Sequence, residues 1–475
     1  MTKKKLLLVL PRDVRSYFGG VRGGKAGLVR LSLPTIASLT PPDWDVTIHD
    51  SRVAPIDYDQ DVDLVGITGF TGEILDAYAI ADRFRAKDIC VVIGGVHATA
   101  LPDEALQHAD AVVSGEAEQV WEGLLQDFSA GRLKARYQAD EFFDMRQMRT
   151  PRRDLLNREM FSHFHTLEAT RGCPHDCDYC AVTGVFGRRY RMRPVEEVVE
   201  EIRTFDSRDF FFADDNICGQ PKYAKELFRR LIPLRKRWGG QTAVTFARDD
   251  ELLELYARSG GRYAFVGFES LSDENLARMN KKWGHAQSYP AVIRKIHDAG
   301  INVVGSFMFG LDEDDVSVFR RTVDFVLENR IDAAQFHILT PFPGTRLHEQ
   351  MDREGRIADR DWAKYSSCEV VFRPRKMTAD ELQQGYYWAY QQVYTYPRIL
   401  MRSLRTLRGL VRRIGLNISY RNKALRMPPI PRNWPDVPVS SHAARTPRNS
   451  PATDASSKSN PTEFDRAFRN MRNDR

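Results

Sequence analysis

The run Arg171-Gly172-Cys173-Pro174-His175-Asp176-Cys177-Asp178-Tyr179-Cys180 puts three cysteines into eight residues. A C-x3-C-x2-C loop can wrap three corners of a cubic iron–sulfur cluster and leave the fourth iron without a protein ligand. An electron-carrying cluster usually takes four thiolates, yet Cys90, Cys218 and Cys368 stand isolated and far apart. A zinc site of three cysteines and one histidine calls for paired spacings and a distant partner, a role for which His175, inside the loop, is badly placed. Three thiols this close cannot pair usefully as disulfides. The spacing therefore favours an open cluster, with the vacant iron as a place for chemistry.

With an aromatic residue immediately before the last cysteine, Thr170 to Cys180 resembles the signature of the radical S-adenosylmethionine enzymes. The resemblance implies that Cys173, Cys177 and Cys180 hold a 4Fe-4S cluster and that the open iron is chelated by the methionine moiety of S-adenosylmethionine. It implies that Tyr179 packs near the cluster and adenine. It also implies reductive cleavage to a 5'-deoxyadenosyl radical, with electrons from a reductant such as flavodoxin or ferredoxin.

Upstream of the loop, short apolar runs alternate with helical patterns, as in a doubly wound parallel sheet. Strands are expected at 5–10, 46–49, 64–68, 91–93 and 111–113, with a helix over 74–86. Such sheets bind ligands outside the carboxyl ends of their strands, which directs attention to the loops 11–25, 69–73, 94–99 and 114–118. No G-x-G-x-x-G follows the first strand, which argues against a nicotinamide site. The segments 65–68, 93–99 and 114–118 resemble the cobalamin-binding domain that precedes many radical S-adenosylmethionine cores. By that resemblance Thr68, Gly94, Gly95 and Gly115 are cobalamin contacts, with the glycines letting backbone approach the macrocycle. The chain lacks the D-x-H-x-x-G string that supplies a lower cobalt ligand, and His49-Asp50 has the wrong order. His97 lies on a candidate loop, where a local hydrogen-bonding role is the preferred reading. An open lower face is expected.

Downstream, strands expected at 167–169, 210–212, 242–246, 263–268, 302–308 and 334–339 alternate with helices such as 194–205, 222–238 and 288–299. Six such repeats fit the partial barrel of the resembled family, whose site residues gather at strand ends. Asp214 and Asp215 follow the second strand, and the family's contact to the methionine amino group falls here. Which of the two makes it is left undecided, since either could instead cap a helix. By resemblance, Glu269 and Ser270 reach the ribose and carboxylate of the cofactor. Gly305 is read as room for adenine, with strand packing the equal alternative, and 340–345 as a rigid turn beside it. Cys218 and Cys368 read as small buried hydrophobes.

The expected organisation is a Rossmann-like cobalamin domain (1–140), a linker (141–160), a radical S-adenosylmethionine core (161–376), a helical region (377–426) and a disordered tail (427–475). A formal charge of +6 over 475 residues does not argue for nucleic acid. The run Leu6–Leu10 is too short for a signal peptide, and no stretch reaches the ~18 apolar residues of a membrane span; a cytoplasmic protein is expected. Between 399 and 414, Leu400, Leu404, Leu407, Val411 and Ile414 share one helical face with arginines mostly elsewhere. Closing one end of the barrel is preferred over lying on an anionic membrane.

The combined reading is a cobalamin-dependent radical S-adenosylmethionine methyltransferase acting on an unactivated carbon of a small, apolar biosynthetic molecule. One cofactor molecule would methylate cobalt, and a second would yield the radical. A cyclase, rearrangement or oxidation enzyme using the same modules is the alternative, and a non-catalytic iron–sulfur electron carrier is the more distant one.

Overall fold

Two six-stranded parallel sheets carry the chain, joined by a strapped-down connection and closed at one end by a helical hairpin. The computed structural model describes residues 3–12, 25–406, 409–430 and 434, all within one compact unit, Met1–Pro435.

The first sheet comprises β1 (Lys4–Leu10), β2 (Trp44–Asp50), β3 (Leu64–Thr68), β4 (Cys90–Gly94), β5 (Ala111–Ser114) and β6 (Arg136–Gln138), in the order β2-β1-β3-β4-β5-β6. Leu6, Leu8 and Leu10 pack on one side with Trp121 and Leu124, and Leu7 and Val9 on the other with helix α1 (Ile74–Arg85). Burial on both faces explains why these strands read as continuous apolar runs. Strand order reverses between β1 and β3, which places a ligand crevice at the carboxyl ends of these strands. The sequence pattern does not reveal β6, because only Tyr137 of its three residues is buried. The loop segment 13–24 lies outside the described residues.

The segment 141–160 is docked along its length. The Arg152 N–H donates to Pro34 O (2.9 Å), and the buried Arg153 guanidinium donates to Thr166 O (2.6 Å) and to Glu201 (2.6 Å).

The second sheet runs β7 (Thr166–Leu167), β8 (Asp209–Phe212), β9 (Arg237–Ala243), β10 (Gly261–Glu269), β11 (Asn302–Phe309) and β12 (Ala333–Ile338), each parallel to its sequence neighbour. This is the expected partial barrel. One strand differs: the helix ends at Leu231 and β9 spans Arg237–Ala243, with a short 3-10 turn over Val244–Arg248. Gly239 and Gly240 dilute the apolar pattern of β9, yet a Cβ at 239 would press on Phe211 and Tyr263, and one at 240 on Phe212. Glycine in a strand here marks close approach.

The last strand, β12, would expose an unpaired edge. Helix α3 (Ala379–Val393) and the residue after it cover that edge with tyrosines one turn apart. The Tyr390 hydroxyl accepts from the Phe336 N–H (3.0 Å) and donates to Phe336 O (3.1 Å). Tyr394 does the same with Ala334 (2.9 and 2.5 Å). These aromatics thus take the place of a missing neighbour strand and form a packed subdomain.

The basic segment forms two helices, α4 (Tyr396–Ser403) and α5 (Leu410–Ala424), and their faces are the reverse of the expectation. Arg402 and Arg413 are buried, whereas Leu400, Leu404 and Val411 face outward; Leu407 lies outside the described residues. Arg402 donates to Ile331 O (3.0 Å) and Arg413 to Asn302 Oδ1 (3.2 Å), so the pair does close the amino end of the barrel. Arginines line the closure because buried carbonyls there, and the buried Asp332 carboxylate, need many donors. The expected disordered tail begins too early, since Met427 and Trp434 are buried, the latter against Phe319 and Trp388. Residues 435–475 lie outside the described residues.

Replacing Tyr390 and Tyr394 by Phe leaves edge N–H and C=O groups unpaired, at about 1–3 kcal/mol for each site. The double variant is expected to melt several degrees below wild type by circular dichroism, and the exposed control Tyr396→Phe within error of it.

Candidate active site

The cysteine loop leaves β7 and is fixed on every side. Asp214 pins its root by accepting from the Thr170 N–H (2.6 Å), the Thr170 hydroxyl (2.6 Å) and the Ala169 N–H (3.2 Å). On one flank the Asp178 N–H donates to Met279 O (3.2 Å), Asn280 Nδ2 donates to Asp176 O (2.7 Å), and His175 stacks on Trp283 at 3.6 Å. On the other, Arg346 donates to Asp178 Oδ1 (2.8 Å) and Asp176 O (2.7 Å).

Burial pushes the Cys177 thiol up to about 11 and Cys180 to about 12, and raises Cys173, with mutual repulsion of the thiolates adding to the effect in Cys177 and Cys180. Among the described residues no set of His, Cys, Asp or Glu side chains is arranged around a single metal ion. A cubane does not require that convergence, because each thiolate binds a different iron. Three half-buried thiols that repel one another when ionised suit a cationic iron core, which supplies the missing counter-charge. His175 is held neutral, lowered to about 4 by burial, and lies flat on Trp283, so the site is a three-thiol one.

The strand-end carboxylates divide by role. Asp214 is spent on the loop root, whereas Asp215 has a single hydrogen bond, from the Gly172 N–H (3.3 Å). Burial raises them to about 7 and about 6 respectively. Asn216 Nδ2 lies 4.0 Å from Cys173 Sγ. Glu269 sits in a bulge of β10 with φ of +64°, a left-handed conformation unusual for a non-glycine residue. Its carboxylate meets Lys281 Nζ (3.0 Å), which is 4% exposed and also donates to Gly267 O (2.8 Å). A Cβ on Gly267 would overlap the Glu269 carboxylate. Tyr179 neighbours both Cys177 and Glu269 and lines a cavity of about 140 Å³ with Met279, Leu311 and Leu339.

Other expectations change. The Ser270 hydroxyl accepts from the Ser272 N–H (3.1 Å) at the entry to the next helix. Gly305 does not face the site: its missing Cβ points at Phe307 and Phe268 (3.0 and 3.3 Å), so the glycine makes room for those rings and not for a nucleobase. Cys218 and Cys368 are buried, as expected of small hydrophobes.

Thr68, Gly94, Gly95 and Gly115 come together at the carboxyl ends of β3, β4 and β5. Gly95 has φ of +98°, and a Cβ there would lie 2.6 Å from Thr68 Oγ1. The Thr99 hydroxyl donates to Gly95 O (2.8 Å) and accepts from the Gly115 N–H (2.9 Å). Nothing lies within 4 Å of a Cβ placed on Gly115, which leaves a bare backbone floor of the kind a flat macrocycle fits. His97 points away from this floor, wholly buried, with Nε2 3.2 Å from Glu104 and its ring beside Trp362.

The segment that follows Gly115 is joined to the root of the cysteine loop. Arg171 reaches from the loop root to Glu116 and Glu118 after β5 (both 2.7 Å) and to Glu168 (2.8 Å). Arg191 adds a second contact to Glu116 (2.6 Å). Across the interface Trp362 Nε1 donates to Glu104 (3.1 Å), and Gly344, in the turn after β12, abuts Ala100 of helix α2 (Val96–Ala100).

Sequence comparison agrees with this geometry. The B12 binding domain profile matches residues 37–125 and the radical SAM superfamily profile residues 167–326. The bacteriochlorophyllide d C-12(1)-methyltransferase of Chlorobaculum tepidum is 36% identical over 414 residues, covering 84% of this chain and 90% of the relative. The C-8(2)-methyltransferase of the same organism is 30% identical, covering 81% and 89%. Among solved structures, the radical S-adenosylmethionine methyltransferase TsrM of Kitasatospora setae superposes with a TM-score of 0.61 at 19% identity, covering 74% of this chain and 76% of that one. A doubly wound sheet and a partial barrel meeting over a three-thiol loop define an enzyme that works with a 4Fe-4S cluster, S-adenosylmethionine and cobalamin. The chain belongs to the cobalamin-dependent radical S-adenosylmethionine methyltransferases.

Sequence reasoning missed Lys281 and the Arg171 network. Asn280-Lys281-Lys282 looks like any surface charge run, and nothing local distinguishes the buried lysine. Arg171 stood next to the motif, but two of its three partners lie more than fifty residues away.

Alanine at Cys173, Cys177 or Cys180 is expected to remove nearly all bound iron and sulfide after anaerobic reconstitution, while Cys218→Ala and Cys368→Ala keep the wild-type content. Arg171→Met strands Glu118 and Glu168, Glu116 keeping Arg191, and is expected to cost about 3–5 kcal/mol, read as a lowered denaturation midpoint.

Proposed function

We propose that the enzyme methylates an unactivated carbon of a small, largely apolar molecule, and that a chlorin-type tetrapyrrole is the substrate class. The observation that carries the first part is the ion-paired junction between the root of the three-thiol loop and the strand-end loop that starts at the open backbone of Gly115. The second part is supported by the two relatives named for bacteriochlorophyllide methylation at about 90% of their length.

Cys173, Cys177 and Cys180 hold the cluster. Asp215, which gives the loop only one long hydrogen bond, accepts from the amino group of S-adenosylmethionine, and Glu269 accepts from the ribose hydroxyls. Lys281 orients Glu269, and Tyr179 packs against the adenine side. Thr68, Gly94, Gly95 and Gly115 form the seat of cobalamin. When bound, these groups supply a substrate radical and a transferable methyl group; the protein binds, orients and excludes water. A low-potential donor such as flavodoxin or ferredoxin feeds the cluster, in a reducing cytoplasm. Among the described residues no helix is long and apolar enough to cross a membrane.

The test is anaerobic turnover of the reconstituted enzyme with methyl-labelled S-adenosylmethionine and a bacteriochlorophyllide. Labelled product together with 5'-deoxyadenosine is expected. 5'-Deoxyadenosine with an unlabelled, altered product would replace methylation by a cyclisation or oxidation, and none at all would sink a radical role. Asp215→Asn and Lys281→Met are expected to raise the S-adenosylmethionine requirement at least about tenfold, the scale of one charge-assisted hydrogen bond, at unchanged iron content.

A further inference from the structure

The outer face of the C-terminal hairpin is apolar where a solvent-facing surface is ordinarily polar. Helices α4 and α5 run antiparallel, because Arg421 lies over Tyr396 (4.0 Å), Arg402 bonds Asn417 (3.0 Å) and Arg413 bonds Ser403 O (3.0 Å). Their inward faces carry Arg402, Arg413 and Asn417. Their outward residues are Tyr396, Leu400 and Met401 on α4 with Leu404 capping it, and Val411 on α5 with Leu425 capping it, from 45% to 83% exposed. Single exposed apolar residues are ordinary on a protein surface, whereas six on one short hairpin are a patch.

The charge around that patch has one sign. From Leu382 to Pro435 the sequence holds ten Lys and Arg residues and no Asp or Glu. Some arginines are turned inward to close the barrel, but Arg412 on α5 and Arg426 just past its end are exposed beside the apolar residues, Arg412 also reaching Asp209 at 3.4 Å. Apolar side chains projecting from a helix pair whose own sequence is basic and free of acids match an interface with anionic lipid, which rewards both features together. We propose that this face seats the enzyme on an anionic bilayer, with Leu400, Leu404 and Val411 at the headgroup boundary and the arginines on lipid phosphates. The hairpin closes the amino end of the barrel, opposite the cysteine loop, so attachment leaves the site mouth free. The inference does not rest on the identity of the substrate.

The test is flotation of the full-length holoenzyme with vesicles of phosphatidylcholine alone, or of phosphatidylcholine and phosphatidylglycerol in equal parts, at low and high salt. The protein is expected to float only with phosphatidylglycerol, and less at high salt. Arg412→Gln with Arg426→Gln is expected to weaken binding about fivefold for each charge lost. Leu400→Ser with Leu404→Ser and Val411→Ser is expected to weaken it roughly tenfold or more even at low salt, with cluster and cobalamin absorption unchanged. Hydrogen exchange on the wild-type protein gives a second readout that needs no variant: α4 and α5 amides should slow with phosphatidylglycerol vesicles. Absence of both flotation and slowing overturns the proposal, as does binding indifferent to the leucine changes. Self-association by light scattering that the leucine changes abolish, without vesicle binding, would assign the face to a second copy of the chain instead.

Discussion

Arg171 is the constraint on which the site depends. Its guanidinium is buried among three carboxylates, two from the end of the first sheet and one from the start of the barrel. Charges out of water are tolerated when paired, and a displaced partner is left uncompensated. Any sliding of the first sheet against the barrel would break this arrangement, so the root of the cysteine loop and the glycine floor keep one separation. Fixed separation of reacting groups is where much of a positioning enzyme's advantage lies. The contacts of Trp362 with Glu104 and of Gly344 with Ala100 hold the same interface at other points.

Within that frame the barrel spends local strain on the carboxylate next to the loop. Glu269 keeps a left-handed backbone because the bulge, the missing side chain at Gly267 and the buried Lys281 together over-determine it. Strain of this kind persists where the surroundings enforce it, and it clusters at functional sites. The opposite end of the barrel solves a different problem. Buried carbonyls and Asp332 draw arginines inward there, and the displaced leucines are left on the outside of the hairpin.

Much of this was legible in the sequence. The C-x3-C-x2-C spacing and the β/α alternation carried both sheets and the three thiols, since covalent spacing and apolar periodicity are local signals. Gly95 was singled out by its resemblance to a cobalamin-binding loop, whereas its positive φ beside Thr68 is seen only in the structure. The role of Gly305 was not legible, because a strand glycine can face either side and only the packed structure shows Phe268 and Phe307 against it. That Asp214 and not Asp215 is claimed by the Thr170 backbone needed three dimensions. The reversed faces of α4 and α5 escaped the helical pattern because the demand for donors comes from strand ends seventy or more residues away.

The central claim is that the two cofactor seats face each other across an interface fixed by Arg171. Electron paramagnetic resonance of the holoenzyme, with cobalt as cob(II)alamin and the cluster reduced by one electron, tests it most directly. The account predicts a dipolar interaction that splits or broadens both signals in wild type. Two unperturbed spectra, each as seen for the isolated centre, would contradict it.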